Sequence, residues 1–214
     1  MLLTDVPHPE TLAAATALEV CIAYSSPALV NHCRRSFVWA AAYAIDNGIA
    51  YDDELLYVSA MLHDIGLVRE FDNVTVPFEE AGGHVAWVFG AGAGWPIERR
   101  QRAAEIVVRH MWDSVDVTED AEGFLLEVAT GLDISGGNPG WWSPELRTDV
   151  VAQIPRLTLS QEFTACFRDQ AARKPESTAG SAMRGGIVDR IAANILDITT
   201  PGATPDPAPL TRHP

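Results

Sequence analysis

Residues 60–67 read Ala-Met-Leu-His-Asp-Ile-Gly-Leu, an imidazole and a carboxylate side by side in an apolar run of helical spacing. Burying His63 and Asp64 there without partners costs on the order of several kcal/mol, so the rest of the chain has to bring something to them. A divalent cation suits both groups. Adjacent helical residues point about 100° apart, so both reach one ion only at the helix surface, with other helices closing the shell. His32 upstream and Asp133 downstream, both at predicted helix boundaries, are the candidates to do so.

Helix punctuation along the chain fits that requirement. The spacing predicts helices over 10–24 after Pro9, over 29–46 with Asn47-Gly48 as the stop, and from an Asp52 or Asp53 cap through Ile65 with Gly66 as terminator. Further helices follow over 79–89, ended by Gly90, Gly92 and Gly94, then from Pro96 past Met111, and over 124–132, just before Asp133. Ser143-Pro144 opens a short helix, and 159–172 and 187–198 supply the last two. With no period-2 segments bounded by hairpin turns, the fold class is all-α. Residues 1–198 are expected to form one domain, with a metal-binding core at about 29–134 and C-terminal helices at about 143–198. Five prolines in 199–214 predict an extended or disordered tail.

Charge narrows the partners. Fifteen Lys+Arg against 29 Asp+Glu leave a net charge of -14, and Lys174 is the lone lysine. Such a balance disfavours nucleic acid and anionic membrane surfaces, so a small-molecule substrate is expected. Cys21, Cys33 and Cys166 are dispersed and lack a C-x-x-C pair, which predicts reduced, buried thiols. No basic residue precedes Arg34 and no apolar stretch has the length of a membrane span, so the expected setting is the cytoplasm.

The order His32, then His63-Asp64 in an apolar helix, then His84 and His110, then Asp133, resembles the HD superfamily of metal-dependent enzymes. The resemblance is carried further by Asn31-His32-Cys33-Arg34-Arg35-Ser36-Phe37, by Phe78-Glu79 with Gly82-Gly83 and Ala86, and by Ala129-Thr130-Gly131-Leu132-Asp133-Ile134. Pro155-Arg156-Leu157, Phe163 and Lys174-Pro175 look like the C-terminal signature of its cyanamide hydratase-like branch. The resemblance implies an all-α helical bundle in which His32, His63, Asp64 and Asp133 hold one divalent ion. Two imidazoles and two carboxylates leave an open position, as a catalytic site needs. Zinc is the expected ion, though Fe(II), Mn(II) and Ni(II) accept the same donors.

His84 and His110 divide the readings. Either they line the pocket of a mononuclear site, with His110 exchanging protons, or they add ligands for a second ion as in di-iron HD oxygenases, with a plain surface position for His84 as the third alternative. Arg35 is read as an anchor for a carboxylate such as Asp64, as a substrate contact or as a solvated helix residue, Glu79 as a general base or a helix-dipole partner, and Thr130 as a substrate donor or a bond to its own helix. Trp141-Trp142 is a candidate pocket wall or oligomer interface, the other tryptophans core anchors.

The expected activity is addition of metal-activated water to a small polar substrate, with Asp64 orienting the water and His110 donating the proton. The alternatives are an HD phosphohydrolase, for which Arg34, Arg35, Arg69 and Arg109 would hold the phosphate, and the di-iron oxygenase.

Overall fold

In the computed structural model, residues 1–198 are described and are α-helical throughout, with short 3-10 turns and no strand among them. The expected Pro-rich tail, 199–214, lies outside the described residues.

The local chemistry sets the helix boundaries. Helix α1 (Leu12–Tyr24) starts two residues later than Pro9 predicts, because the Thr11 hydroxyl accepts the Ala14 amide as N-cap. Helix α2 (Pro27–Asn47) begins on the Ser26 cap with Pro27 in its first turn and stops at Gly48. Helix α3 (Asp53–Leu62) is capped by Asp52, which accepts the Leu55 amide. Helices α4 (Phe78–Gly92) and α5 (Ile97–Arg109) pack as neighbours, and α6 (Ala121–Ser135) follows on an Asp120 cap. Helix α7 (Pro144–Gln153) starts at the Ser143 cap, and α8 (Leu159–Arg173) runs on from it. The predicted terminal helix over 187–198 is broken into α10 (Ile187–Ala192) and α11 (Ile195–Ile198), and is preceded by an unanticipated α9 (Thr178–Arg184). The break falls at Asn194, whose side chain turns inward to donate to the Leu132 and Asp133 carbonyls.

Two differences from the sequence reading bear on the site. Helix α6 runs three residues beyond Leu132, to a left-handed Gly136, so Asp133 is helical rather than the first residue of a loop. Gly66 is not a left-handed terminator: it lies in a 3-10 turn (Ile65–Leu67) where a Cβ would sit 2.0 Å from the Phe78 carbonyl oxygen. Its role is to let the start of α4 press against the end of α3. Gly66→Ala is therefore expected to cost about 3 kcal/mol, a Tm loss of roughly 6–12 °C in thermal unfolding.

Two apolar clusters result. The larger joins α1, α2, α3, α5, α6 and α7 around residues such as Trp39, Leu56, Ile106 and Leu125. The smaller gathers Phe78, Ile134, Phe163, Phe167 and Ile187. The His63-Asp64 turn lies where the two meet. No described helix is long and apolar enough to cross a membrane. All three cysteines are free; Cys21 and Cys33 are buried and Cys166 half-buried.

Candidate metal centre

Helix α3 ends at Leu62, and its next two residues leave the helical register: His63 stays near helical angles, but Asp64 takes φ -100°, ψ 7°. This turn solves the geometric problem of adjacent residues pointing apart. His63 Nε2 and Asp64 Oδ2 lie 3.2 Å from each other. His32, from the second turn of α2, completes a triangle, its Nε2 at 3.0 Å from His63 Nε2 and 3.2 Å from Asp64 Oδ2. All three side chains are essentially inaccessible to solvent.

The hydrogen bonds behind the triangle determine what its corners are. His63 Nδ1 donates to the Ala60 carbonyl at 2.8 Å, and His32 Nδ1 donates to Asp133 Oδ2 at 2.7 Å. With each neutral ring's proton on Nδ1, both Nε2 atoms present lone pairs. The third corner is a carboxylate, neither of whose oxygens has a hydrogen-bond donor. Three acceptors within 3.2 Å of one another, buried and with no donor among them, demand positive charge. Without an ion that charge has to come from protons on the imidazoles: burial opposes ionisation of Asp64, and the charged forms of His63 and His32 hold its pKa well below the usual carboxylate range, while Asp133 and Asp64 raise the pKa of His32 against its burial. Ligand bonds of about 2.1 Å put neighbouring donors about 3.0–3.4 Å apart, so a dication fits this spacing.

Asp133 departs from the expected ligand set. Its Oδ1 accepts from Arg35 Nε (2.8 Å) and Trp39 Nε1 (2.9 Å), and its Oδ2 from an Arg35 terminal nitrogen (2.8 Å) and His32 Nδ1. A carboxylate has about four lone-pair sites, and all four are taken. Asp133 thus sits behind His32 and fixes its tautomer. Burial is outweighed by Arg35 and His32, which hold its pKa far below the ordinary value.

Arg35 correspondingly grips Asp133 rather than Asp64, and it is fully buried, outside the cavity lining, so it is not a substrate contact. Its remaining donor reaches the Ile154 and Pro155 carbonyls. The next residue, Arg156, donates to the Asp133 carbonyl, and Trp142 donates to the Trp39 carbonyl. The Pro155-Arg156-Leu157 signature and Trp142 therefore brace the site from behind; Trp142 does not wall the pocket.

In front of the triangle lies a cavity of about 260 Å³. His110, at the end of α5, lines it with Nε2 3.7 Å from Asp64 Oδ1 and Nδ1 donating to the Val107 carbonyl. Burial, reinforced by His63, pulls its pKa down to about 3, so it is a neutral acceptor and does not serve as proton donor. Thr130 lines the cavity, and its hydroxyl donates to the Glu127 carbonyl, the bond to its own helix. Phe163 and Phe167 form an apolar wall.

Glu79 and His84 are not brought to the cavity. Glu79 is buried under α9, where it accepts from the Thr178 hydroxyl at 2.5 Å, and burial raises its pKa. His84 is exposed on the far face of α4, in a separate groove with Trp87 and Glu105. Glu79 and His84 lie five positions apart on α4, and neither faces the cavity. His84→Ala is expected to leave metal content and turnover within twofold of wild type; loss of an ion would restore the second-site reading. Sequence reasoning missed Glu127 and Arg190, which also line the cavity. Glu127 shares a face with Thr130, Gly131 and Ile134, spacing that becomes visible once α6 is known to start at Ala121.

Residues 29–128 match the HD domain family model. Two curated proteins of Saccharomyces cerevisiae, Cyanamide hydratase DDI2 and Cyanamide hydratase DDI3, are each 28% identical over 179 residues, covering 79% of this chain and 77% of theirs.

Proposed function

We propose, from its match to the HD domain family model and its likeness to two cyanamide hydratases, that this chain is an HD-domain enzyme that hydrates a small nitrile-type molecule such as cyanamide, using one divalent ion. The observation that carries the reading is the donor-free triangle of His32 Nε2, His63 Nε2 and Asp64 Oδ2, open to a cavity on one side only.

His32, His63 and Asp64 hold the ion, and Asp133 keeps His32 in the tautomer that presents Nε2. The ion, when bound, lowers the pKa of water toward neutrality, and zinc is the proposed occupant. The neutral His110 accepts a hydrogen bond from that water and aims its oxygen at the substrate. Thr130 meets the polar end of the substrate, while Phe163 and Phe167 exclude bulk water.

The phosphate-ester alternative is less well supported. Of the arginines the sequence suggests for it, Arg35 is consumed by Asp133, and Arg109 pairs with Asp120 and lines the other groove. Arg34 and Arg69 do not line the cavity either. The exposed groove position of His84 likewise favours one ion over two. The test is to assay purified, zinc-loaded protein with cyanamide and with a panel of nucleotides. Conversion of cyanamide to urea is expected. Phosphate release without urea would contradict the reading.

A further inference from the structure

Hydration of a carbon–nitrogen triple bond needs a proton donor as well as a water. His110 does not fill that place, because its one proton is engaged with the Val107 carbonyl. The acidic side chains lining the cavity are Asp64, which belongs to the triangle, and Glu127. Glu127 lies on the cavity face of α6, one helical turn before Thr130 and Gly131. It is half-buried, and its carboxyl group makes no hydrogen bond or ion pair with the described residues. An unengaged acid lining the reaction cavity, and outside the ion-binding triangle, is available to serve the substrate rather than the ion.

We propose that Glu127 is the general acid of the hydration, delivering its proton to the substrate nitrogen; this rests on the hydratase reading above. As the water oxygen bonds to the nitrile carbon, one π pair of the C≡N bond moves onto nitrogen and takes the Glu127 carboxyl proton. The water loses one proton to solvent, and the Glu127 carboxylate regains one from solvent. The net product is the imidic acid, which tautomerises to the amide; for cyanamide this is urea. Burial alone lifts the Glu127 pKa, to about 7, so the acid form is present at neutral pH and is lost above it. The titratable and charged groups facing the same cavity are His32, His63 and Asp64 at the triangle, His110 from the end of α5 and Arg190 from α10.

Glu127→Gln keeps the shape and removes the proton. With zinc-loaded protein and cyanamide, kcat is expected to fall by about 10²–10³-fold while KM stays within about threefold. Wild-type kcat is expected to decline above pH about 7, and the residual activity of Glu127→Gln to lack that decline. Glu127→Asp is expected to restore part of kcat together with the alkaline limb. Zinc content and urea affinity by calorimetry are expected to be unchanged in Glu127→Gln, which separates proton donation from a structural role. A Glu127→Gln enzyme with kcat within twofold of wild type, one that keeps the alkaline limb, or one that loses zinc overturns the assignment of Glu127 alone. A wild-type enzyme that makes no urea overturns the hydratase reading and this assignment together.

Discussion

Asp64→Ala is expected to leave the protein folded, nearly free of divalent metal, and slower in turnover by about 10³-fold or more. The physical reason is the triangle itself: removing its one formal charge leaves two neutral imidazoles, too little to hold a dication against water. Loss of that ion forfeits several kcal/mol of transition-state stabilisation, and about 4 kcal/mol corresponds to 10³ in rate. The variant carries a second, less obvious expectation. In metal-free protein, at a pH where both imidazoles are neutral, the Asp64 carboxylate is buried without a donor. Metal-free Asp64→Ala is therefore expected to unfold at or above the Tm of metal-free wild type, although metal-loaded wild type exceeds both. Differential scanning calorimetry with and without chelator reads all of these. A metal-free Asp64→Ala variant that melts well below metal-free wild type would show that the carboxylate has a structural partner and that the donor-free picture is wrong.

Asp133→Ala is expected to be the most damaging single change to stability. It strands the guanidinium of Arg35, which is fully buried and spends two of its nitrogens on Asp133. It also frees the Trp39 indole nitrogen and lets His32 change tautomer. Breaking a buried pair in this way costs about 3–5 kcal/mol, a Tm loss of roughly 6–20 °C for a chain of this size. In whatever fraction folds, metal affinity is expected to drop by about 10–100-fold, the effect of losing the carboxylate that orients a ligating histidine. The sign of the pH dependence follows from the depressed pKa of Asp133. Its stabilising contribution is full above the unfolded carboxylate value of about 3.9 and is lost as pH falls from there toward the native value. Acid unfolding of wild type is accordingly expected to be steeper than that of Asp133→Ala. A variant with near wild-type Tm and metal affinity would refute the buttressing role.

Much of this was legible in the residues. Asp52 and Ser143 cap helices where the spacing places a cap, while Thr11, Ser26 and Asp120 cap helices that the sequence reading starts at other residues. The His63-Asp64 pair declares itself because two polar groups interrupt an apolar run, and His32 follows as a neighbour able to reach them. What spacing cannot reveal is which face of one helix meets which face of another. Asp133 reads as a ligand in sequence because its competing donors, Arg35 and Trp39, are 98 and 94 positions away. Counting those donors requires the packed structure. His84 reads as a pocket residue or second-ion ligand because it falls in the His, His-Asp, His, His, Asp order of the family it resembles, while rotation about α4 turns it outward. Glu127 was overlooked for the converse reason: an acid in a helix is ordinary, and it becomes notable only when its own face of that helix proves to close a cavity. Gly66 illustrates the same limit on backbone scale, since a glycine after a helix suggests a left-handed stop and here instead permits a close crossing.

The central claim is that three buried acceptors, without a donor among them, are organised for a single dication. Metal content by plasma mass spectrometry, on protein purified without added metal and again after loading with zinc or Fe(II), tests it most directly. One ion per chain is expected in the loaded wild type and near zero in Asp64→Ala, with His84→Ala indistinguishable from wild type. Two ions per chain, or a full complement of metal in Asp64→Ala, would contradict it.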